Sequence, residues 1–205
     1  MTILSLFSSF YPKIRRLKRF KIEGLENKPE APQVLREGCQ ALEKMNIPYW
    51  LASGTLLGIH RNKAFIPHDT DIDVEVFTPK SFDEIVNGIP FEPIQVMERR
   101  GKLMQIAFMG PNNIIFDIYF YHEYGPNLLN FNEWGIFHYP KSMIDRLTTL
   151  EFQGTTYPVP DPDPYCAFRY GSDWQTPKTY KGIWANDAPN LVRYHHFRKI
   201  RALCS

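Results

Sequence analysis

From Asp69 to Val76 the chain alternates acidic with apolar residues: Asp69, Asp71, Asp73 and Glu75 fall at every second position, and Ile72, Val74 and Val76 lie between or after them. A period of two is the signature of an extended strand. Extension puts successive carboxylates on one face at roughly 6.6 Å spacing and leaves the other face apolar enough to pack on a core. Like charges this close raise one another's pKa or recruit a cation, and hard divalent ions such as Mg2+ or Mn2+ prefer carboxylate oxygens. The plain alternative is a solvent-facing edge strand, where charge discourages edge pairing. Such a strand carries mixed signs, and here all four are acidic. The alternation therefore predicts a strand that presents a metal site. Because an isolated Asp-x-Asp is common by chance, the flanking sequence decides.

Upstream, the apolar run Tyr49 to Ala52 ends in Ser53, Gly54 and Thr55, followed by Leu56, Leu57 and Gly58. A strand entering a Gly-Thr turn and then a helix start offers backbone N–H groups and a hydroxyl to a phosphate. The cations Arg61 and Lys63 come next, before the acids; Lys63 reads more simply as a solvated loop charge. Farther along, Ile114 to Phe120 is an apolar run around a lone Asp117. An unpaired buried Asp is costly, so Asp117 needs a partner, and an ion held by Asp71 and Asp73 is the natural one.

The order Gly54-Thr55, Asp71-Ile72-Asp73, Asp117 is similar to the nucleotidyltransferase superfamily. The fuller block GTLLG, Arg61, Phe65-Ile66-Pro67 and Asp69-x-Asp71-x-Asp73 resembles the LicD family, which includes fukutin and fukutin-related protein. The resemblance covers roughly residues 35 to 180, with 49 to 74 the specific block, and Tyr165 to Trp174 resembles the family's second signature. It implies an α+β fold: a nucleotidyltransferase-like mixed or antiparallel sheet with helices packed on one face. It also implies transfer of phosphocholine or an alditol phosphate such as ribitol phosphate from a CDP-linked donor to a glycan or glycolipid. One or two Mg2+ (or Mn2+) ions would bridge Asp71 and Asp73, with Asp117 completing the site. The donor pyrophosphate would lie against Gly54 and Thr55, with Arg61 and Lys63 neutralising it, and Asp69 or Asp117 would take the acceptor's proton. Two departures touch the donor pocket: His68 stands where Trp is usual, and Ser53 where Gly is usual.

Two other classes use the same acids. A nucleotidyltransferase would attack the α-phosphate of an NTP and release pyrophosphate. A GT-A glycosyltransferase also uses Asp-x-Asp, but needs a longer nucleotide-binding unit before the motif than this chain has.

The rest of the chain sets limits. A length of 205 residues, 43% hydrophobic, suffices for one compact domain, and a net charge of +2 is too small to argue for nucleic acid. Cys39, Cys166 and Cys204 are odd in number and far apart, which fits a reduced compartment better than a disulfide framework. Residues 1–24 form a basic amphipathic segment, too short to span a bilayer and charged on the wrong side for a secretory signal. Two readings of it stay open: a helix lying on an anionic membrane surface, or a helix packed on its own domain with a solvated basic end. The expected location is cytoplasmic, with any membrane contact peripheral at the inner face. The catalytic domain is expected over 25–180, followed by a tail over 181–205 in which His195 and His196 read as surface residues. Helices are expected over Pro32 to Met45, from a Ser81 capping box to Asn87, over Pro140 to Leu147 and from Tyr165 to a Gly171 cap. Strands are expected at Gln95 to Glu98, Lys102 to Met109 and Ile114 to Tyr121. Glu75 is placed beyond the site, and Trp174 in the core.

Overall fold

A computed structural model describes residues 23–78, 82–99, 101–178 and 188–204. The basic amino-terminal segment up to residue 22 and the capping residue Ser81 lie outside the described residues. The acidic strand is β2 (Asp71–Phe77), and the sheet is built around it. β1 (Tyr49–Leu51) pairs with β2 antiparallel, and β5 (Ile115–Tyr124) pairs with it parallel on the other side. The first half of β5 also takes β4 (Lys102–Met109) antiparallel, with β3 (Glu92–Arg99) beyond it. The end of β5 continues through β6 (Asn127–Phe131) and β7 (Ile136–Pro140), which makes one mixed sheet of eight strands with β10 (Leu191–Val192) at its far edge. A separate hairpin joins β8 (Thr148–Phe152) to β9 (Thr155–Val159).

Alternation in β2 and β5 sorts the two faces as expected. Ile72, Val74 and Val76 of β2 and Phe116, Ile118 and Phe120 of β5 are all fully buried. Against this core lies α1 (Ala31–Lys44), which opens on Pro32 and buries Val34, Leu35, Cys39 and Leu42 at helical spacing. Gly38 permits the close approach, since a Cβ there would stand 2.5 Å from the Phe116 ring. Each large apolar side chain removed from water here is worth about 1.5–3 kcal/mol. The remaining helices are α2 (Ser53–Asn62), α3 (Phe82–Gly88), α4 (Pro162–Tyr170) and α5 (Phe197–Cys204).

Two segments differ from expectation. Pro140 to Leu147 is not a helix: it makes one 3-10 turn at Lys141–Met143, and β8 begins at Thr148. The β-branched pair Thr148-Thr149 favours pairing with β9 over prolonging a short helix. Residues 188–204, read as a tail, supply β10 and α5, whose Ile200 and Leu203 pack against a second small core of Met104, Leu129, Phe131 and Ile136. No described helix is long and apolar enough to cross a membrane.

Candidate active site

The parallel register of β2 and β5 sets Asp73 beside Asp117 and Asp71 one step nearer the strand start. Asp71, Asp73 and Asp117 therefore share a face, and one oxygen from each lies within 4.8 Å of the others. Asp73 and Asp117 are buried, while Asp71 is half-buried. Burial raises the pKa of all three; the charge of Asp71 then raises Asp73 and Asp117 further. Gln105, from β4, donates its Nε2 to Asp117 Oδ2 at 2.7 Å. Asp117 Oδ1 is buried with no hydrogen-bond partner. An orphaned oxygen on a buried carboxylate is costly, and a cation among the three acids removes both that cost and the mutual repulsion. The donor set, all carboxylate oxygen, fits Mg2+ or Mn2+.

Asp69 precedes the strand, on a turn closed by its N–H to the Ile66 carbonyl at 3.1 Å. Burial, and then the charge of Asp71, push its carboxyl up to about 7. It lies so close over Gly54 that a Cβ there would collide with Asp69 Oδ2. Gly54 thus serves the approach of Asp69 to the first turn of α2. That turn has Ala52 as its N-cap, with no side-chain cap, and its first helical bond runs from Leu56 N–H to the Ala52 carbonyl at 2.9 Å. The earlier N–H groups, including those of Gly54 and Thr55, have no partner within the helix, and its positive dipole end sits beside the acids.

Thr55 differs from expectation. It is fully buried, and its Oγ1 accepts the Asp73 N–H at 2.9 Å. The hydroxyl therefore braces the helix start against β2 rather than lying open to a phosphate. Arg61 and Lys63 are not brought to the acids either, because they sit at the other end of α2, about 10 Å or more along its axis from Gly54. Arg61 donates to the Trp174 carbonyl at 3.1 Å and to Asn62 Oδ1 at 2.8 Å. Lys63 is the left-handed C-cap of the helix, exposed, with Nζ 3.3 Å from the His60 carbonyl. His68 is also exposed, beside Glu26 at 3.1 Å.

Glu75 lies outside the cluster of three acids, as expected, but not at an exposed strand end. It continues the acidic face inward and is only 2% exposed. Its Oε2 accepts Trp50 Nε1 at 2.7 Å, and its Oε1 is 3.5 Å from the Tyr139 hydroxyl. Burial pushes its carboxyl up to about 7, against the pull of the nearby Arg169 guanidinium. Arg169 and Tyr165 come from α4, whose second-signature resemblance marked the segment without assigning either side chain a place. Arg169 is buried with its guanidinium over the Phe137 ring at 4.8 Å and Nη1 3.5 Å from Asn190 Oδ1; its charge also lowers the pKa of Asp73. A cation within an apolar helix was the one available signal. Gln105, inside an otherwise ordinary strand, offered none. Trp174 is buried and stacks on His60 at 5.4 Å, while His195 and His196 are exposed.

A mixed sheet with its acids on adjacent parallel strands, beside an uncapped helix start, defines an α+β domain of the nucleotidyltransferase type. The family model described as "LicD/FKTN/FKRP, nucleotidyltransferase domain" matches residues 46–162, more than half of the chain, and the chain belongs to this family. It is similar to the ribitol-5-phosphate transferase FKTN of Mus musculus and of Homo sapiens, 25% identical over 181 residues in each case. Those alignments cover 83% of this chain and 38% of either relative, so the chain spans well under half of their length. The uncharacterized protein RP689 of Rickettsia prowazekii (strain Madrid E) is 36% identical over 61 residues, 30% of this chain and 23% of that protein. Among solved structures, the lincosamide antibiotic adenylyltransferase LnuA, lincomycin-bound, aligns with a TM-score of 0.48 and 13% identity over 70% of this chain and 92% of that one. ANT(2")-Ia in complex with adenylyl-2"-tobramycin aligns at 0.42 and 15% over 64% and 70%.

Proposed function

We propose that this chain is a metal-dependent phosphotransferase that moves a phosphorylated alcohol, phosphocholine or an alditol phosphate such as ribitol phosphate, from a CDP-linked donor to a glycan or glycolipid hydroxyl. The observation that carries the reading is the Asp71, Asp73 and Asp117 cluster with its unpartnered Asp117 Oδ1. Membership of the LicD/FKTN/FKRP family and the name of the FKTN relatives support the phosphoryl-alcohol chemistry. A divalent ion held by these three carboxylates would supply charge neutralisation to the phosphoryl oxygens and to the leaving CMP. The α2 start at the half-buried Gly54 would bind the donor pyrophosphate, with the fully buried Thr55 bracing that turn against β2. Asp69 is the better general base: it lies beside the three acids yet outside the proposed metal ligands, whereas Asp117 is committed to Gln105 and to the metal. Residues 25–180, with β10 and α5 added to their sheet and second core, would form the catalytic unit, and the basic segment 1–24 would touch an anionic membrane surface.

The test is to incubate the purified chain with Mg2+, a glycan acceptor and CDP-choline, CDP-ribitol or CDP-glycerol, and to follow CMP. Metal-dependent CMP release from one of these donors, with the phosphoalcohol on the acceptor, is the expected result. Pyrophosphate release from an NTP, with the nucleotide retained on the product, would replace this reading with nucleotidyl transfer.

A further inference from the structure

We infer that Tyr165 and Tyr139 are positioning residues that hold the start of α2 in place for the donor pyrophosphate, through a hydrogen-bond chain running from the Ser53 peptide to Glu75. The inference rests on the proposed donor reading and adds to it how the phosphate-facing turn is fixed. The Ser53 N–H donates to the Tyr165 hydroxyl oxygen at 3.0 Å, the Tyr165 and Tyr139 hydroxyls are 2.9 Å apart, and the Tyr139 hydroxyl reaches Glu75 Oε1 at 3.5 Å, the longest link. Glu75 accepts at the far end, so Tyr139 spends its proton there. Tyr165 then donates to Tyr139 and keeps a lone pair for Ser53, and every donor in the chain points toward the carboxylate. Both tyrosines are fully buried, with rings stacked 5.2 Å apart at 20°.

Ser53 is where a clamp matters. It begins α2 at φ 48°, a left-handed conformation that is strained for a residue with a side chain. Binding its N–H from inside the protein holds that conformation and leaves the N–H of the half-buried Gly54 at the helix start, whereas Thr55 is fully buried. Independently of the helix, the buried, unpartnered Asp117 Oδ1 beside Asp71 and Asp73 points to a cation, which the donor pyrophosphate would meet. Thr55, bonded to the Asp73 N–H, locks the clamped turn to the strand that carries the acids.

Tyr165→Phe keeps the ring stack and removes the acceptor for Ser53. Tyr139→Phe breaks the chain one step farther away and serves as the second variant should the first fold poorly. For the full chain with Mg2+, three quantities are measured: CDP affinity by calorimetry, kcat and KM for the CDP-linked donor, and the Mg2+-induced rise in Tm. Tyr165→Phe should weaken CDP binding and raise donor KM about tenfold, as for a buried N–H left without a partner, and Tyr139→Phe by about threefold. The Mg2+-induced rise should match wild type in both, because the three acids are untouched. CDP affinity within twofold of wild type in both variants, or a CDP loss matched by an equal loss of the Mg2+ response, overturns the inference. Wild type that binds an NTP and not CDP overturns the donor reading alone, and the same variants are then compared with that NTP. Wild type that binds neither nucleotide overturns both.

Discussion

Replacing Glu75 by Gln isolates the electrostatic strain of the acidic face, because Glu75 is buried yet absent from the proposed metal ligands. Burial raises its pKa from 4.5 to about 7, even with Arg169 close by. A buried acid with a raised folded pKa leaves stability intact below its unfolded value, and stability is lost as pH climbs through the folded one. A rise of this size costs about 3 kcal/mol well above pH 7 and about 1 kcal/mol at pH 5. Glu75→Gln removes that cost. It also turns an amide N–H₂ toward Trp50 or Tyr139, a mismatch of about 1–3 kcal/mol that does not vary with pH. The stability difference between variant and wild type should therefore swing by about 2–3 kcal/mol in the variant's favour between pH 5 and pH 8, or about 5–10 °C in relative Tm for a chain of this size. Thermal melts of both proteins in chelator at the two pH values measure it. Differences that stay parallel within about 0.5 kcal/mol would show that Arg169 keeps Glu75 ionised throughout, and the argument from burial would fail.

In Asp117→Asn the Mg2+-dependent rise in Tm should mostly vanish. In wild type that rise should grow with metal concentration and with pH, since the ion binds deprotonated ligands, and binding should release protons measurable in weakly buffered solution. Equal shifts in the two proteins would remove Asp117 from the metal site. Ser53→Gly should fold with stability within about 1 kcal/mol of wild type, because Gly accepts the left-handed backbone, whereas Ser53→Val should lose about 1–3 kcal/mol in urea unfolding. A harmless Val would mean that the left-handed φ at this position is not held in solution. Deleting residues 1–21 should leave turnover of a soluble acceptor almost unchanged and weaken binding to anionic vesicles, each basic residue near the surface contributing roughly 1 kcal/mol at low salt; unfolding of the truncated chain would assign the segment to the core.

The acidic strand, its apolar reverse face and the lone Asp117 were legible because period-two patterning and the cost of an unpaired buried charge act on a few consecutive residues. Fold class and family followed from the same short block, and helix α1 from its apolar spacing. The failures have a common cause. Arg61 and Lys63 were placed by nearness in sequence to the Gly-Thr turn, but a helix starts between them and carries its two ends apart. Thr55 reads as a phosphate contact until β2 is laid beside it and the Asp73 N–H claims its oxygen. Glu75 was rightly set outside the three acids, but its burial was not legible because nothing local shows that Trp50 and Tyr139 close over it. Ser53 is an instructive departure: the family position that is usually Gly has a positive φ here, so the backbone demand survives although the residue that best meets it does not.

The parallel pairing of β2 with β5 also governs when the site can exist. Asp73 and Asp117 face each other across one register step, although 44 positions separate them (117 − 73). The intervening chain, α3 and the β3–β4 hairpin, is looped out between the two strands when they meet. Loop-closure entropy makes so distant a pairing a late event, and contacts of this range slow folding. On a ribosome, a nascent chain released only as far as β4 would carry Asp71 and Asp73 without their third partner. Affinity for a divalent ion would then arrive only with the emergence of β5, so metal capture reports the β2–β5 pairing while β6, β7 and β10 are still to be added.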